Sequence, residues 1–221
     1  MSYRLQTGEP LSTGVRRVAK EQIDDALAQL TTPEDDVDEA IHEARKDFKK
    51  VRGLLRLIRD EIGEEQYQRE NRCFRDAGRR LSDLRDGAVQ VATLDALTDN
   101  YTDLLADDLC HTARRTLADR HEEEKQRIRE EETLMEVVQT ITQARIRVDT
   151  WPVDNDTHTA VTPGLKRVYK RGVKRMADSQ AEPKTEHRHE WRKRVKYLWY
   201  HLRLLRPLWR QPLQALAEET H

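Results

Sequence analysis

The chain has 221 residues, and 37% of them are charged, against ~25% in an average soluble domain. Lys and Arg total 40 and Asp and Glu total 41, so a net charge of −1 hides two large opposing sums. With only 8 Gly and 7 Pro, no apolar run near the ~18 residues of a membrane span and no apolar core after Met1-Ser2-Tyr3-Arg4, the composition predicts a soluble, cytoplasmic protein of long helices.

In chain order, helices are expected at about 10–30, 36–61, 64–99, 102–149 (broken once), 163–178, 184–206 and 212–219. The punctuation that separates them is Thr31-Thr32-Pro33-Glu34-Asp35-Asp36, the loop from Trp151-Pro152 to Thr162-Pro163-Gly164, Ala181-Glu182-Pro183, and Arg210-Gln211-Pro212. Acids after Pro33 suit the first turn of a helix. Val37, Ile41, Ala44, Phe48, Val51, Leu55 and Ile58 recur at three- and four-residue spacing, the pattern of a core-facing helix. Nothing alternates with period two for long enough to make a strand, so the fold class is all-α. Cys73 and Cys110 lack CxxC or zinc spacing, which excludes a cysteine metal knuckle and a disulfide scaffold.

Charge is segregated along the chain. Between Pro163 and Gln211 there are 15 Lys or Arg and 4 Asp or Glu; between His42 and Arg59, 7 and 2. The balancing acids gather at Asp24-Asp25, Glu34 to Glu39, Asp103 to Asp108 and Glu122 to Glu132. A neutral chain arranged in this way carries a strongly basic patch.

Two helices repeat one another. His42-Glu43-Ala44-Arg45-Lys46-Asp47-Phe48-Lys49 aligns without gaps on His189-Glu190-Trp191-Arg192-Lys193-Arg194-Val195-Lys196, and the match extends from Arg56-Leu57-Ile58-Arg59 to Arg203-Leu204-Leu205-Arg206. The offset of 147 residues points to a duplicated helical bundle. On a wheel with His42 at zero, Arg45, Lys49, Arg52 and Arg56 fall between about 280° and 340°, beside an apolar face at about 160° to 240°. The second copy repeats the ladder with His189, Arg192, Lys196 and Arg203, and Trp199 takes the place of Arg52. Shorter ladders at i, i+3, i+7 occur at Arg72, Arg75, Arg79 and at Arg167, Lys170, Lys174. One such stripe is an ordinary solvated face. Four of them, each next to a core face, predict a shared cleft whose crowded cations an anionic polymer would relieve.

These residues resemble the CHAD family, the conserved-histidine α-helical domain. The family pattern is a helix with His, Arg three residues on, and basic residues near plus seven, eight and ten. His42, Arg45, Lys49, Lys50 and Arg52 match it in the first half, and His189, Arg192, Lys193, Lys196 and Tyr200 in the second. Gly164-Leu165-Lys166-Arg167-Val168-Tyr169-Lys170-Arg171-Gly172 matches the stretch before the second basic helix. Leu81-Ser82-Asp83-Leu84-Arg85-Asp86 resembles the Leu-Gly-x-x-Arg-Asp turn after the first. The resemblance covers nearly the whole chain and implies one domain over residues 1–221. That domain would comprise two pseudo-symmetric antiparallel helical bundles, at about 8–149 and 160–221. It implies non-catalytic binding of inorganic polyphosphate and a place on polyphosphate granules, with Arg56, Arg171, Lys174 and Arg203 among the contacts. Two departures stand out. Trp199 replaces an Arg of many members, and the second half stops where the counterpart of Arg72 to Asp86 should begin. That truncation leaves Trp191, Leu198 and Leu202 under-covered unless a second copy of the chain supplies the packing.

Rival readings are weaker. A phosphotransfer histidine expects His-x-x-Lys-Gly, whereas Arg45-Lys46 and Arg192-Lys193 stand here. His187 and His189 point apart on a helix, so no metal site is expected, and each family histidine is read as a phosphate or backbone donor or as a satisfied core residue. Glu122-Glu123-Glu124-Lys125 fails the Glu-x-Glu-x-Lys pattern of triphosphate-tunnel enzymes. No phosphate loop or nucleophile–base pair is present, so neither enzyme activity nor a cofactor is expected. The alternatives are a nucleic-acid binder, disfavoured by 5% aromatic content, and a helical scaffold for acidic proteins.

Overall fold

The computed structural model describes residues 3–32, 37–83, 86–100, 107–130, 132–208 and 210–220. Its helices are α1 (Leu11–Thr31), α2 (Val37–Leu57), α3 (Arg59–Ile62), α4 (Glu64–Asp83), α5 (Asp86–Asn100), α6 (Asp107–Glu130), α7 (Glu132–Arg147), α8 (Thr162–Ala181), α9 (Thr185–Leu205) and α10 (Arg210–Glu219). No strand occurs among the described residues, and no described helix is long and apolar enough to cross a membrane. The predicted turn at Pro33–Asp36, and Leu84 and Arg85 of the predicted Leu81–Asp86 turn, lie outside the described residues. Where one helix was expected over 64–99, α4 and α5 stand instead.

Four of these helices close a ring. α1 packs on α2, α2 on α4, α4 on α7, and α7 back on α1. The apolar stripe of α2 supplies the centre: Ile41, Ala44, Phe48, Val51 and Leu55 are all at most 1% exposed. Phe48 meets Phe74 of α4 with ring centroids 5.9 Å apart. Val148, Trp151 and Val153 of the following loop are buried too, closing one end of the bundle, where Arg16 donates to the Trp151 carbonyl at 2.8 Å. Glu70 of α4 is fully buried and held bidentately by Arg147 of α7, at 2.8 and 3.0 Å. α5 and α6 pack on each other as a hairpin.

The second half is a different assembly. α8 and α9 form a hairpin, both members rest on α2, and α10 packs on α9. Two glycines permit the close approach. A Cβ on Gly164, at the start of α8, would lie 2.0 Å from the Leu57 carbonyl oxygen, and one on Gly53 would lie 3.2 Å from Tyr200 Cβ. α2 therefore serves twice, as a wall of the bundle and as the platform for α8 and α9. The exposure expected of Trp191, Leu198 and Leu202 holds only in part: Trp191 is 36% exposed, whereas Leu202 is 5% exposed.

Candidate functional site

The basic edge of α2 faces a cleft of about 390 Å³ bounded by α2, α4 and α9. α2 contributes Arg45, Lys49, Arg52 and Arg56, α4 contributes Arg75 and Arg79, and α9 contributes Lys193 and Arg194. Glu190 is the one carboxylate among the described residues of the wall. Phe48 and Phe74 line the cleft at its junction with the core, and Ser82 and Tyr197 complete it. The placement follows from helix geometry. The ladder lies at one edge of the α2 core face, so the helices that cover that face, α4 and α9, bring their own cations against it.

Crowding shows in the individual groups. The Arg52 guanidinium sits below its usual range, chiefly because burial removes it from water and also because Arg56 and Arg75 stand beside it. Its Nε donates to Asn71 Oδ1 at 3.2 Å. Arg56 donates to the Arg52 carbonyl at 2.6 Å and lies 4.0 Å above the Tyr197 ring, an orientation that cation–π attraction favours. Arg75 pairs with Asp76 at 2.7 Å, while Lys193 and Arg194 share Glu190 at 2.7 and 3.2 Å.

A narrower hollow continues the cleft through Arg56, Arg194 and Tyr197, adding Arg59, Tyr67, Arg167 and Arg171. Here α8 joins the site. Arg171 is lowered by burial first and by Arg194, Arg59 and Arg167 next. Arg59 pairs with Glu64 at 2.6 Å and Arg167 with Asp60. Cleft and hollow share Arg56, Arg194 and Tyr197 and together form a continuous basic surface shaped by α2, α3, α4, α8 and α9.

The structure thus gathers Arg45, Lys49, Arg52, Arg56, Arg75, Arg79, Arg167, Arg171 and Lys193. Other expected site residues lie elsewhere. Lys50 pairs at 2.6 Å with Asp47, which is 3% exposed; burial pushes that carboxyl up. Arg72, Lys170 and Lys174 are exposed residues that line neither space. His42 is half-buried, with Nε2 4.0 Å from Glu43, and His189 is exposed. Arg192, Lys196 and Arg203 belong to another face of α9: Lys196 lies 3.8 Å above the Trp199 ring and Arg203 4.7 Å from it. Tyr200 is buried against Tyr3, centroids 5.9 Å apart, and burial pushes its hydroxyl up to about 12.

The second ladder departs because α9 turns a different charged face to the cleft. With His189 at zero, the cleft-lining Glu190, Lys193, Arg194 and Tyr197 centre near 90°, whereas Arg192, Lys196 and Arg203 centre near 320°. The buried Tyr200, His201, Leu202, Leu204 and Leu205 of α9 stand at the positions of Gly53, Leu54, Leu55, Leu57 and Ile58 in the first copy, which are buried too. The two copies therefore differ in the charged face that meets the cleft and not in these buried positions. Sequence reasoning therefore missed Arg194, Tyr197 and Glu190. It also missed His201, the fully buried histidine, whose ring Nε2 is 2.9 Å from the Gly53 carbonyl. Its spacing from Leu198 and Leu205 was the available signal.

Comparison with known proteins agrees with this architecture. A crystal structure of the CHAD domain from the plant Ricinus communis matches with a TM-score of 0.62 at 18% identity, covering 100% of this chain and 78% of that one. No curated protein matches. The family pattern described as the CHAD domain matches residues 17–221. The chain belongs to the CHAD domain family.

Proposed function

We propose that the protein binds inorganic polyphosphate in the cleft between α2, α4 and α9 and does not cleave it. The observation that carries this reading is the wall itself, eight cations from three helices around one carboxylate. Mutual repulsion of that kind is relieved by an anion with many charges, and each Arg can hold two phosphate oxygens in its planar fork. CHAD membership supports it, since the family is associated in general with polyphosphate and triphosphate binding. Placement of the protein on polyphosphate granules in the cytoplasm follows from the same reading.

The cleft's aromatic rings favour a phosphate chain over a nucleic acid. Phe48 and Phe74 are buried, and Arg56 covers Tyr197, so no open ring face is offered to a base. Long-chain polyphosphate is expected to displace DNA, with DNA a poor competitor in return.

The test uses one exposed cation from each helix. Lys49→Gln, Arg79→Gln and Lys193→Gln together remove three charges that only the cleft brings close. Taking about 1.5–3 kcal/mol for each hydrogen bond to a charged group, binding should weaken by two orders of magnitude or more. The charge-matched control, Lys166→Gln with Lys170→Gln and Lys174→Gln on α8, should retain most of the affinity. Equal losses in both variants would show that diffuse charge, and not the cleft, holds the ligand. Phosphate release from tripolyphosphate or long chains would overturn the non-catalytic part.

A further inference from the structure

On the other side of α9 lies a second concave basic feature. Arg4, Leu5, Gln6 and Thr7 of the amino-terminal segment meet Arg206 and Arg210 around a hollow of about 320 Å³. Its lining holds three arginines and, among the described residues, no carboxylate. The segment is fixed in place, because Leu5 N–H donates to the Leu204 carbonyl at 3.0 Å and Leu5 is 4% exposed. Arg17 donates to the Arg4 carbonyl at 3.1 Å. The acid nearest in sequence, Glu9, is engaged by Arg17 at 2.6 Å and by the Gln6 N–H.

We infer that the hollow formed by Arg4, Arg206 and Arg210 is a second phosphate site, separate from the cleft and suited to a short phosphoanhydride such as tripolyphosphate. Three arginines share the lining with no carboxylate among its described residues, so a multiply charged anion there gains from all of them. Guanidinium forks match the paired oxygens of a phosphate, and Gln6 and Thr7 stand at the same wall. A volume of about 320 Å³ lies at the small end of ligand sites. The two sites are separated by α9 itself. On its wheel Arg206 lies about 170° from the mean direction of Glu190, Lys193, Arg194 and Tyr197, so a short ligand in one site does not reach the other. Arg203, three residues before Arg206, extends positive charge from this hollow along the face that carries Arg192 and Lys196.

Calorimetric titration of the full chain with tripolyphosphate tests this. Two binding events are expected. Arg4→Gln, Arg206→Gln and Arg210→Gln together should weaken one event by about a hundredfold or more and leave the other unchanged. The cleft variant at Lys49, Arg79 and Lys193 should do the reverse, so failure of the cleft reading and failure of this one are distinguishable. If the arginine variant loses helical circular dichroism, Arg210→Gln alone, at an exposed position, should still weaken the same event by about tenfold. Wild-type stoichiometry in the arginine variants, or a single event removed by the cleft substitutions, overturns the inference. Citrate binding at the hollow as tight as tripolyphosphate binding overturns its phosphate character.

Discussion

His201 shows how a residue can matter to this site without touching it. It is fully buried at the contact of α9 with α2, and its ring Nε2 meets the Gly53 carbonyl at 2.9 Å. Burial first, and the charge of Arg56 as well, push the imidazole down to about 4, so the fold keeps it neutral. A depressed histidine contributes stability that is complete above the unfolded value of about 6.5 and is lost as pH falls toward 4. By about pH 5, above most carboxylate titration, the loss should reach about 2 kcal/mol, or about 4–8 °C in melting temperature for a chain of this size. Melting curves of wild type and His201→Gln test it. The variant keeps an amide donor for Gly53 and should melt with a flatter pH dependence between about 6.5 and 5; identical slopes would assign the acid sensitivity elsewhere. The histidines named from the family pattern, His42 and His189, were legible because they head the repeated helices. His201 was obscured because it stands outside the repeated His-x-x-Arg pattern, with only its spacing from Leu198 and Leu205 to mark it.

Among the elements, helix existence and most boundaries followed from punctuation and apolar spacing. The face each helix presents did not always follow. α2 shows its ladder where the wheel places it, because its stripe is apolar enough to orient the helix unaided. α9 offers two apolar arcs, Trp191, Val195, Leu198, Trp199 and Leu202 at about 180° to 280° and Tyr197, Tyr200, Leu204 and Leu205 at about 20° to 160°. Its orientation was therefore decided by docking on α2 through Tyr200, His201, Leu204 and Leu205, and the repeated stripe was carried away from the cleft. Gly164 is the element-scale device that admits this docking. Gly164→Ala would place a methyl group against the Leu57 carbonyl, and backbone cannot move aside as a side chain can. Overpacking of this kind costs about 1–3 kcal/mol or more, so melting should fall by about 3–10 °C. Because α8 carries Arg167 and Arg171, polyphosphate binding should weaken as well. An alanine variant with wild-type melting and affinity would mean that α8 has room the structure does not show.

The whole molecule carries a net charge of −1, yet its proposed sites see mostly positive groups, so ligand capture depends on local geometry and not on the sum. Composition and charge runs made a basic patch legible; they could not divide it, because the division arises from the turn of α9 that places Lys193 and Arg194 on one side and Arg206 on the other. That division predicts how affinity depends on ligand length. Short polyphosphates should gain affinity with each added phosphate until the cleft and its narrow extension are filled, and then level off. Chains long enough to pass around α9 should gain again, since occupancy of the cleft raises the effective concentration of the free end at the arginine hollow. Arg192, Lys196 and Arg203 mark the face along which such a chain would run. Both stages should fall steeply with salt, because exposed charges are screened beyond about 8–10 Å at physiological ionic strength. Dissociation constants for polyphosphates of defined length, measured at two salt concentrations, read this directly. Arg4→Gln with Arg206→Gln and Arg210→Gln should abolish the second rise and spare the first, whereas the cleft substitutions should depress the whole curve. A single smooth rise, unchanged by the arginine substitutions, would mean that long chains engage the cleft alone.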